Sequence, residues 1–415
     1  MVPTLNDSER KIVEEEIVVH SIEGAYITFS EGSKNGKTKL LNFSSFDFLG
    51  LSNSEELKEA SRAALNRYGC GSCGPRGFYG TLDAHLELED KFAALCGTES
   101  AIMYSDGAST ASSTVAAFAK RGDLLVIDEG IYEALLTGVT LSRSNIKVFK
   151  HNDMSDLARV LDSIEKEDKV LKRGGDQQRR FIVVEALYRN FGDICPLDEV
   201  VKLKNKHFFR LIVDESLSFG TLGSRGLGLQ DHFNLHDTNK GTNTDIVEIT
   251  TVSLENAIGS VGGMTIGNLE VVDHQRLSGA GYCFSASAPP FVASAACAAL
   301  KIIGEGGGKK NSAVKLLQQN VKQMVSGLKK IKNVVVTSNE LSPLLFVTVK
   351  NRESKEDLDK LTKEFRKEGV LVINTGAHVS HHLRIVPKPM LRLSINALHT
   401  RENIDRVLEV FSQLV

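Results

Sequence analysis

The 415-residue chain lacks an excess of either charge. Its 50 Lys and Arg residues face 52 Asp and Glu residues, which leaves a formal net charge of -2. With this balance, neither nucleic acid nor an anionic membrane surface is an expected partner. The hydrophobic fraction of 41% and the charged fraction of 25% are ordinary for a globular protein of two or three domains with a large core.

Long hydrophobic runs and cysteine pairs are also scarce. No segment approaches the roughly 18 apolar residues that a membrane span needs, and residues 1–16 are too acidic for a signal peptide. We therefore expect the chain as given to be soluble and to face the cytosol. Among the six cysteines, Cys70 and Cys73 form a Cys-x-x-Cys pair, but no second pair completes a zinc site. Reduced structural thiols are expected, and no metal site is predicted.

The pattern of apolar residues predicts an α/β protein in three parts. Residues 1–42 form an arm or hairpin, residues 43–303 form a large domain with a mainly parallel sheet, and residues 304–415 form a smaller α/β domain. The predicted strands are 101–104, 124–127, 181–184, 211–213, 334–337, 345–349, 370–373 and 391–395. The predicted helices are 54–67, 82–95, 155–165, 197–206, 313–330, 355–367 and 401–414. Polar loops are predicted at 166–180, 237–245 and 304–311.

Acidic residues follow three of the predicted strands, at Asp128 and Glu129, at Glu185, and at Asp214 and Glu215. Ligands of open α/β sheets bind at the carboxyl ends of the strands, so these acids are site candidates. Asp214 in particular could pair with a protonated ring nitrogen of a cofactor. The alternative is that each acid caps the next helix or faces solvent. Similarly, residues 105–109 follow a strand and open a helix, a weak signal for a phosphate site.

A glycine-dense loop spans residues 68–81, with glycines at 69, 71, 74, 77 and 80. Such density allows unusual backbone conformations and close approach of another chain, at an entropic cost on folding. We interpret it as a functional loop at a ligand or subunit boundary, with a purely structural crossing as the alternative.

Together these features resemble the α-oxoamine synthase family of fold-type I pyridoxal phosphate (PLP) enzymes. The resemblance covers about residues 40 to 410 and is carried by an ordered series of motifs. These are Asn42-Phe-Ser-Ser-Phe-Asp-Phe-Leu-Gly-Leu51, Gly71-Ser-Cys-Gly-Pro-Arg-Gly-Phe-Tyr-Gly80, Phe149-Lys-His-Asn-Asp-Met154, Asp214-Glu-Ser-Leu-Ser-Phe-Gly220 and Gly281-Tyr-Cys-Phe-Ser-Ala-Ser-Ala-Pro-Pro290.

The family's cofactor-binding residues are mostly absent at the matching positions. The lysine that binds PLP falls on Asn256, the histidine that stacks on the ring on Tyr132, and the histidine at the phenolic oxygen on Leu217, whereas the pyridinium aspartate survives as Asp214. A carboxamide cannot form an imine because its nitrogen lone pair is delocalised. The resemblance therefore implies a chain that is inactive alone, with a degenerate pocket of its own.

The resemblance also implies that the chain completes the active site of a partner. Family active sites lie at subunit interfaces, so Ser285 and Ser287 are expected near the partner's PLP. The loop Cys73, Gly74, Pro75, Arg76, Gly77, Phe78 and Tyr79 is expected to help shape the partner's site. The partner would bind PLP covalently and condense L-serine with palmitoyl-CoA to 3-ketosphinganine, with release of CO2.

The wider setting is implied in the same way. The resemblance implies a place at the cytosolic face of the endoplasmic reticulum membrane, where full-length relatives are anchored by an N-terminal helix. The sequence as given shows no such helix, either because it begins after that helix or because this homologue has none. Small membrane regulators are possible partners. Two alternatives stay open at this point. One is a self-sufficient enzyme with another lysine, and the other is a scaffold or ligand-binding protein that has kept the fold without a role in catalysis.

Overall fold

The computed structural model describes residues 17–31, 36–173, 177–235, 245–307, 309, 312–377 and 383–415. The predicted loop 237–245 lies almost entirely outside these residues. Within them, no helix combines the length and the apolar character that crossing a membrane would require.

The N-terminal arm is a hairpin, as predicted. Strands β1 (Ile17–Glu23) and β2 (Tyr26–Glu31) pair antiparallel around Gly24, whose φ of 59° suits a residue without a Cβ. Strand β3 (Thr38–Asn42) pairs with β2 and, on its other side, runs parallel to β13 (Val370–Leu371). The arm sheet therefore includes a strand from the C-terminal part of the chain.

A seven-stranded sheet forms the centre of the molecule, in the order β4-β10-β9-β8-β7-β5-β6. Strand β10 is antiparallel to both of its neighbours, and the other described pairs are parallel, which confirms a mainly parallel sheet. The strands are β4 (Ser100–Tyr104), β5 (Leu124–Asp128), β6 (Asn145–Phe149), β7 (Arg180–Glu185), β8 (Arg210–Asp214), β9 (Ile249–Ser253) and β10 (Gly263–Gly267).

Helices follow the strands, and polar side chains begin most of them. Ser54, Asp153 and Ser354, for example, each accept a hydrogen bond from a backbone N-H in the first turn. In the large domain the helices are α1 (Glu55–Tyr68), α2 (Asp83–Cys96), α3 (Gly107–Phe118), α4 (Glu133–Ser142), α5 (Met154–Leu171), α6 (Leu197–His207), α7 (Leu229–His232), α8 (Leu269–Ser278), α9 (Ala280–Cys283) and α10 (Pro290–Gly306).

The C-terminal region carries an antiparallel sheet in the order β11-β12-β15-β14. Its strands are β11 (Val334–Val336), β12 (Leu344–Val349), β14 (Ile373–Asn374) and β15 (Leu391–Ser394), and its helices are α11 (Ala313–Leu328), α12 (Lys355–Lys367) and α13 (Arg401–Leu414). One apolar cluster, from Ala25 to Phe411, joins this region to the central sheet.

Two predicted elements are wrong in detail. The single strand predicted at 370–373 is split, because β13 pairs with the arm and β14 pairs with β15. Helix α5 continues to Leu171, into the predicted loop 166–180, although its last buried apolar residue is Ile164; in this last part Asp168 forms ion pairs with Arg173 and Arg180. Helix α10 also runs through the proposed domain boundary at residue 303. The domain boundaries themselves stay predictions.

Candidate functional site

Three buried carboxyl groups lie at the carboxyl edge of the central sheet. Asp128, Glu185 and Asp214 end strands β5, β7 and β8 and are at most 3% exposed. Each makes hydrogen bonds within the protein, as buried acids must. Asp128, for example, contacts His151 Nδ1 at 2.9 Å. The next acid, Glu215, accepts bonds from the backbone N-H of Leu229 and so caps α7, which was the alternative interpretation for such residues.

Both carboxylate oxygens of Asp214 accept hydrogen bonds from neighbouring groups. Its Oδ2 accepts hydrogen bonds from the hydroxyl groups of Thr251, at 2.7 Å, and Tyr132, at 3.2 Å. Its Oδ1 accepts the backbone N-H of Ser216. Burial raises the pKa of Asp214, and the hydrogen bonds from Thr251 and Ser216 oppose that shift. The structure thus brings Tyr132 onto the carboxylate that the resemblance assigns to a pyridinium nitrogen.

Tyr132 is fixed from several directions. Its backbone N-H donates to Glu185 Oε1 at 2.8 Å, and the guanidinium of Arg189 lies 5.2 Å from the centre of its ring. Burial, followed by the charge of Asp214, raises the pKa of the Tyr132 phenol well above its usual value, so the hydroxyl stays protonated and donates. The phenol of Tyr132 therefore donates to the Asp214 oxygen that would otherwise accept the protonated ring nitrogen of a cofactor.

Asn256 and Leu217, the other two substituted positions, are also buried, at 5% and 2% exposure. Asn256 lies in the connection between the antiparallel strands β9 and β10. Its Nδ2 donates to the backbone carbonyl of Ser216 at 2.7 Å, so the carboxamide ties this connection to the segment after Asp214. Leu217 is part of the main apolar cluster.

The start of α3 is poorly suited to a phosphate. The carboxylate of Asp106 accepts the backbone N-H of Ser109 at 2.9 Å and so uses one of the donors that a phosphate would need. A negative charge at this place also repels an anion. Gly107 packs so closely on Ser253 that an added Cβ would lie 2.6 Å from the Ser253 hydroxyl. The predicted phosphate site at 105–109 is therefore occupied by the helix's own cap.

The residues around Asp214 thus do not fit PLP bound as an imine. Position 256 offers no amine, the Asp214 carboxylate is engaged by Tyr132 and Thr251, and an acid caps the helix where the phosphate would lie. Sequence reasoning found the first of these features but not the other two. The acid at position 106 was visible as a common N-cap residue type.

The two segments predicted to reach a partner's site contact each other. Ser287 donates its backbone N-H and its hydroxyl to the carbonyl of Gly74, at 2.9 and 3.0 Å, and Ser72 donates to the carbonyl of Ser287. Ser285 lies two residues away and is partly exposed. Gly80 packs against this turn so tightly that an added Cβ would lie 1.9 Å from the Gly74 oxygen. Gly74 and Gly80 therefore serve close packing within the loop, whereas a Cβ at Gly69, Gly71 or Gly77 would meet nothing within 4 Å.

Within that loop, Arg76 differs from its neighbours. It is 6% exposed, and it forms a two-pronged ion pair with Glu89 at 2.7 and 3.0 Å. Arg76 is therefore an anchor of the loop, and its guanidinium is not turned toward a partner. By contrast, Phe78 and Tyr79 are 72% and 102% exposed, and Cys73 is exposed as well.

Sequence reasoning also missed two arginines in a neighbouring cavity. Arg189 and Arg392 approach the ring of Phe46, with guanidinium carbons 5.0 and 4.6 Å from its centre. They line a cavity of about 280 Å³. Burial and the charge of Arg189 lower the pKa of Arg392 to about 10, so it stays charged at neutral pH. The described lining holds these two guanidinium groups and one carboxylate, that of Glu133, so the positive charge is in excess, which suits the cavity to an anionic group. An arginine inside the apolar strand β15 was the available signal.

Comparison with known proteins identifies relatives over nearly the whole chain. The family model for class I and II aminotransferases matches residues 38–411. Long chain base biosynthesis protein 1b of Oryza sativa subsp. japonica is 40% identical over 376 residues, covering 89% of this chain and 75% of that protein. Serine palmitoyltransferase 1 of Dictyostelium discoideum is 37% identical over 410 residues, covering 96% of this chain and 81% of that protein.

A solved structure of SPT with the PLP internal aldimine has the same fold. It matches with a TM-score of 0.82 and 23% sequence identity, covering 96% of this chain and 92% of that chain. At this identity the match establishes the fold alone, and it confirms the predicted fold-type I architecture.

Proposed function

Because this chain belongs to the class I and II aminotransferase family, and within it to the group of proteins named serine palmitoyltransferase 1 and long chain base biosynthesis protein 1, we propose that it is the non-catalytic subunit of a heterodimeric serine palmitoyltransferase. In this proposal, a lysine-bearing partner condenses L-serine with palmitoyl-CoA to 3-ketosphinganine.

The proposal rests mainly on the asparagine at position 256, where the family has the lysine that binds PLP. Formation of an imine needs a primary amine, and Asn256 supplies a carboxamide that is already hydrogen-bonded to Ser216. In addition, the hydroxyl of Tyr132 is bonded to the Asp214 carboxylate that a cofactor ring would need. The carboxylate of Asp106 caps the helix where the cofactor phosphate would lie. A chain with these features contributes to catalysis through another subunit or not at all.

The part that this chain would play lies in the loop of residues 72–80 and in Ser285 and Ser287. The backbone bonds between Gly74 and Ser287 hold these two segments together, and the Arg76 and Glu89 ion pair anchors them to α2. They would present Phe78, Tyr79 and Ser285 to the partner as one rigid surface. Bound in the partner, PLP would supply an electron sink.

We further propose that the pair works at the cytosolic face of the endoplasmic reticulum membrane, where small membrane regulators could join it. The support for this setting is the resemblance to anchored relatives. Fractionation of cells that express the tagged full-length protein checks it.

The test of the proposed function is co-expression with a lysine-bearing homologue. The chain alone should show neither the visible absorbance of a lysine-bound PLP nor condensation activity, and the co-purified pair should show both. A borohydride-trapped PLP adduct on this chain would contradict the proposal. Equal activity of the partner with and without this chain would favour the scaffold alternative instead.

A further inference from the structure

A cluster of three ionisable side chains lies on helices α5 and α6, and shares no residue with the site around Asp214. Asp162 and Glu165 are three positions apart on α5 and therefore face the same side of that helix. His207 is the last residue of α6, which packs against α5. One ligand atom from each of the three residues lies within 4.8 Å of the other two.

The histidine is buried and its ring nitrogens lack hydrogen bonds. The His207 side chain is only 1% exposed. Its Nδ1 lies 2.8 Å from Glu165 Oε1 and its Nε2 lies 3.6 Å from Asp162 Oδ1. Neither nitrogen makes a hydrogen bond of acceptable geometry, although buried polar groups normally do. The buried ring thus faces two carboxylates at ion-pair distance without a hydrogen bond to either of them.

A shared cation would draw both carboxylates onto one nitrogen of the His207 ring. In a tetrahedral zinc site the metal lies about 2.0 to 2.2 Å from nitrogen and oxygen, so neighbouring ligand atoms are about 3.3 Å apart. The separations of 2.8 and 3.6 Å belong to different ring nitrogens, so one nitrogen lies near both carboxylates only within the 4.8 Å that encloses all three ligand atoms, and the two exposed carboxylates would have to move toward a bound ion. We propose that Asp162, Glu165 and His207 bind a divalent transition metal ion of the zinc class, with one imidazole nitrogen and two carboxylate oxygens as ligands.

The surroundings favour a cation and leave it accessible. His207 lies at the C-terminus of α6, where the helix dipole attracts positive charge. The carboxylates of Asp162 and Glu165 are 51% and 46% exposed, so an ion can enter from solvent and keep water in its remaining positions. The ammonium group of Lys206, 3.6 Å from Asp162, competes for that carboxylate, but it is 63% exposed and can turn into solvent.

The proposed ion would link two helices that the sequence separates. Helix α6 leads directly into β8, the strand that ends at Asp214, so the ion would brace one support of the central sheet. No metal site was predicted from the sequence, because its ligands are about 40 residues apart on two helices and match no short metal-binding motif.

Zinc titration of the intact protein by calorimetry tests the proposal. The wild-type protein should bind one Zn²⁺ that His207→Gln removes or weakens by at least about tenfold, as expected for loss of a metal ligand. Glu165→Gln, a change at an exposed position that should preserve folding, should weaken binding in the same direction. Glu167→Gln is the matched control, because Glu167 lies on the same helix but pairs with Lys147.

Exposed thiols are a second possible source of zinc binding, so the titration is repeated in a Cys70→Ser, Cys73→Ser background. Persistence of the site in that background, together with its loss in the His207 and Glu165 variants, supports the proposal. Absence of binding there, or equal affinity in His207→Gln and wild type, overturns it and leaves a simple ion-pair cluster.

Discussion

At the scale of single residues, the degenerate pocket is held together by the side chains that replaced the expected ones. Asn256 bonds to Ser216, and Tyr132 bonds to Asp214. These bonds are buried, and breaking one leaves a polar group without a partner, which costs about 1 to 3 kcal/mol. The pocket is therefore stabilised in its substituted form.

Restoring the amine alone should not restore a catalytic site. In a heterodimer whose partner has lost its own lysine, Asn256→Lys should leave turnover at least about 100-fold below normal, because misplacement of reacting groups by about 1 Å has that effect. Tyr132 would still engage Asp214, and Asp106 would still occupy the phosphate end. The measurement is the condensation rate, with Asn256→Gln as the matched control. Near-normal turnover of the lysine variant would show that only one residue separates this pocket from activity.

The Arg76 and Glu89 pair should contribute strongly to stability. Both side chains are at most 5% exposed, and removal of one partner leaves an unpaired buried charge. Arg76→Met should lower the free energy of unfolding by about 3 to 5 kcal/mol. The control is Arg67→Met, because Arg67 pairs with Asp83 in solvent and should change stability by less than about 1 kcal/mol. Urea unfolding of both variants measures the change in the free energy of unfolding. Equal changes in the two variants would mean that Arg76 does not anchor the loop.

At the scale of elements, the sequence predicted what depends on local pattern and missed what depends on distant pairing. Helices α1, α2, α12 and α13 have the expected bounds within one or two residues, because their apolar spacing and N-caps are local signals. Strand β10 was not predicted, since Gly263 and Gly267 weaken the strand pattern and its pairing with β4 and β9 is not a local signal. In the site, the loss at Asn256 was predictable, but the approach of Arg189 and Arg392 to Phe46 depends on segments about 200 residues apart.

The exposed aromatic residues of the loop 72–80 should be needed for assembly. Phe78→Ala and Tyr79→Ala should each weaken the heterodimer by about tenfold or more, because aromatic side chains at interface centres often contribute about 2 kcal/mol. Their exposure means that the stability of the isolated chain should hardly change. Val170→Ala, at an 81% exposed position on α5, is the control. Analytical ultracentrifugation of co-expressed pairs measures the effect, and wild-type affinity in both variants would remove this loop from the interface.

At the scale of the whole molecule, two histidines should give stability opposite dependences on pH. Burial alone would lower the pKa of His151, but its bonds to Asp128 and Asp193 raise it to about 9. Between about pH 6.5 and 9 the folded state therefore holds a proton that the unfolded state has lost, so this contribution falls as pH rises. Burial lowers the pKa of His399 to about 4, so its contribution falls as pH drops from about 6.5 toward 4.

Variants separate these two contributions from other titrating groups, such as the buried Glu215. Urea unfolding at about pH 5, 6.5 and 8.5 should show a smaller loss of stability above pH 6.5 in His151→Gln than in wild type. His399→Gln should instead show a smaller loss below pH 6.5. Each variant is the control for the other. Identical pH profiles for wild type and both variants would contradict the assigned shifts.

The parallel pairing of β3 with β13 has a consequence for synthesis on the ribosome. About 330 residues separate Leu41 from its partner Val370. The carbonyl of Asn42 is likewise hydrogen-bonded to His399, which lies still further along the chain. At about 5 to 20 residues per second, Leu41 is made roughly 16 to 66 s before Val370 exists, and His399 follows later still. During that interval the unpaired edge of β3 is open to strands of other nascent chains. Strand β3 is thus made long before it can reach its final pairing, and its free edge is a binding site for a chaperone during that interval.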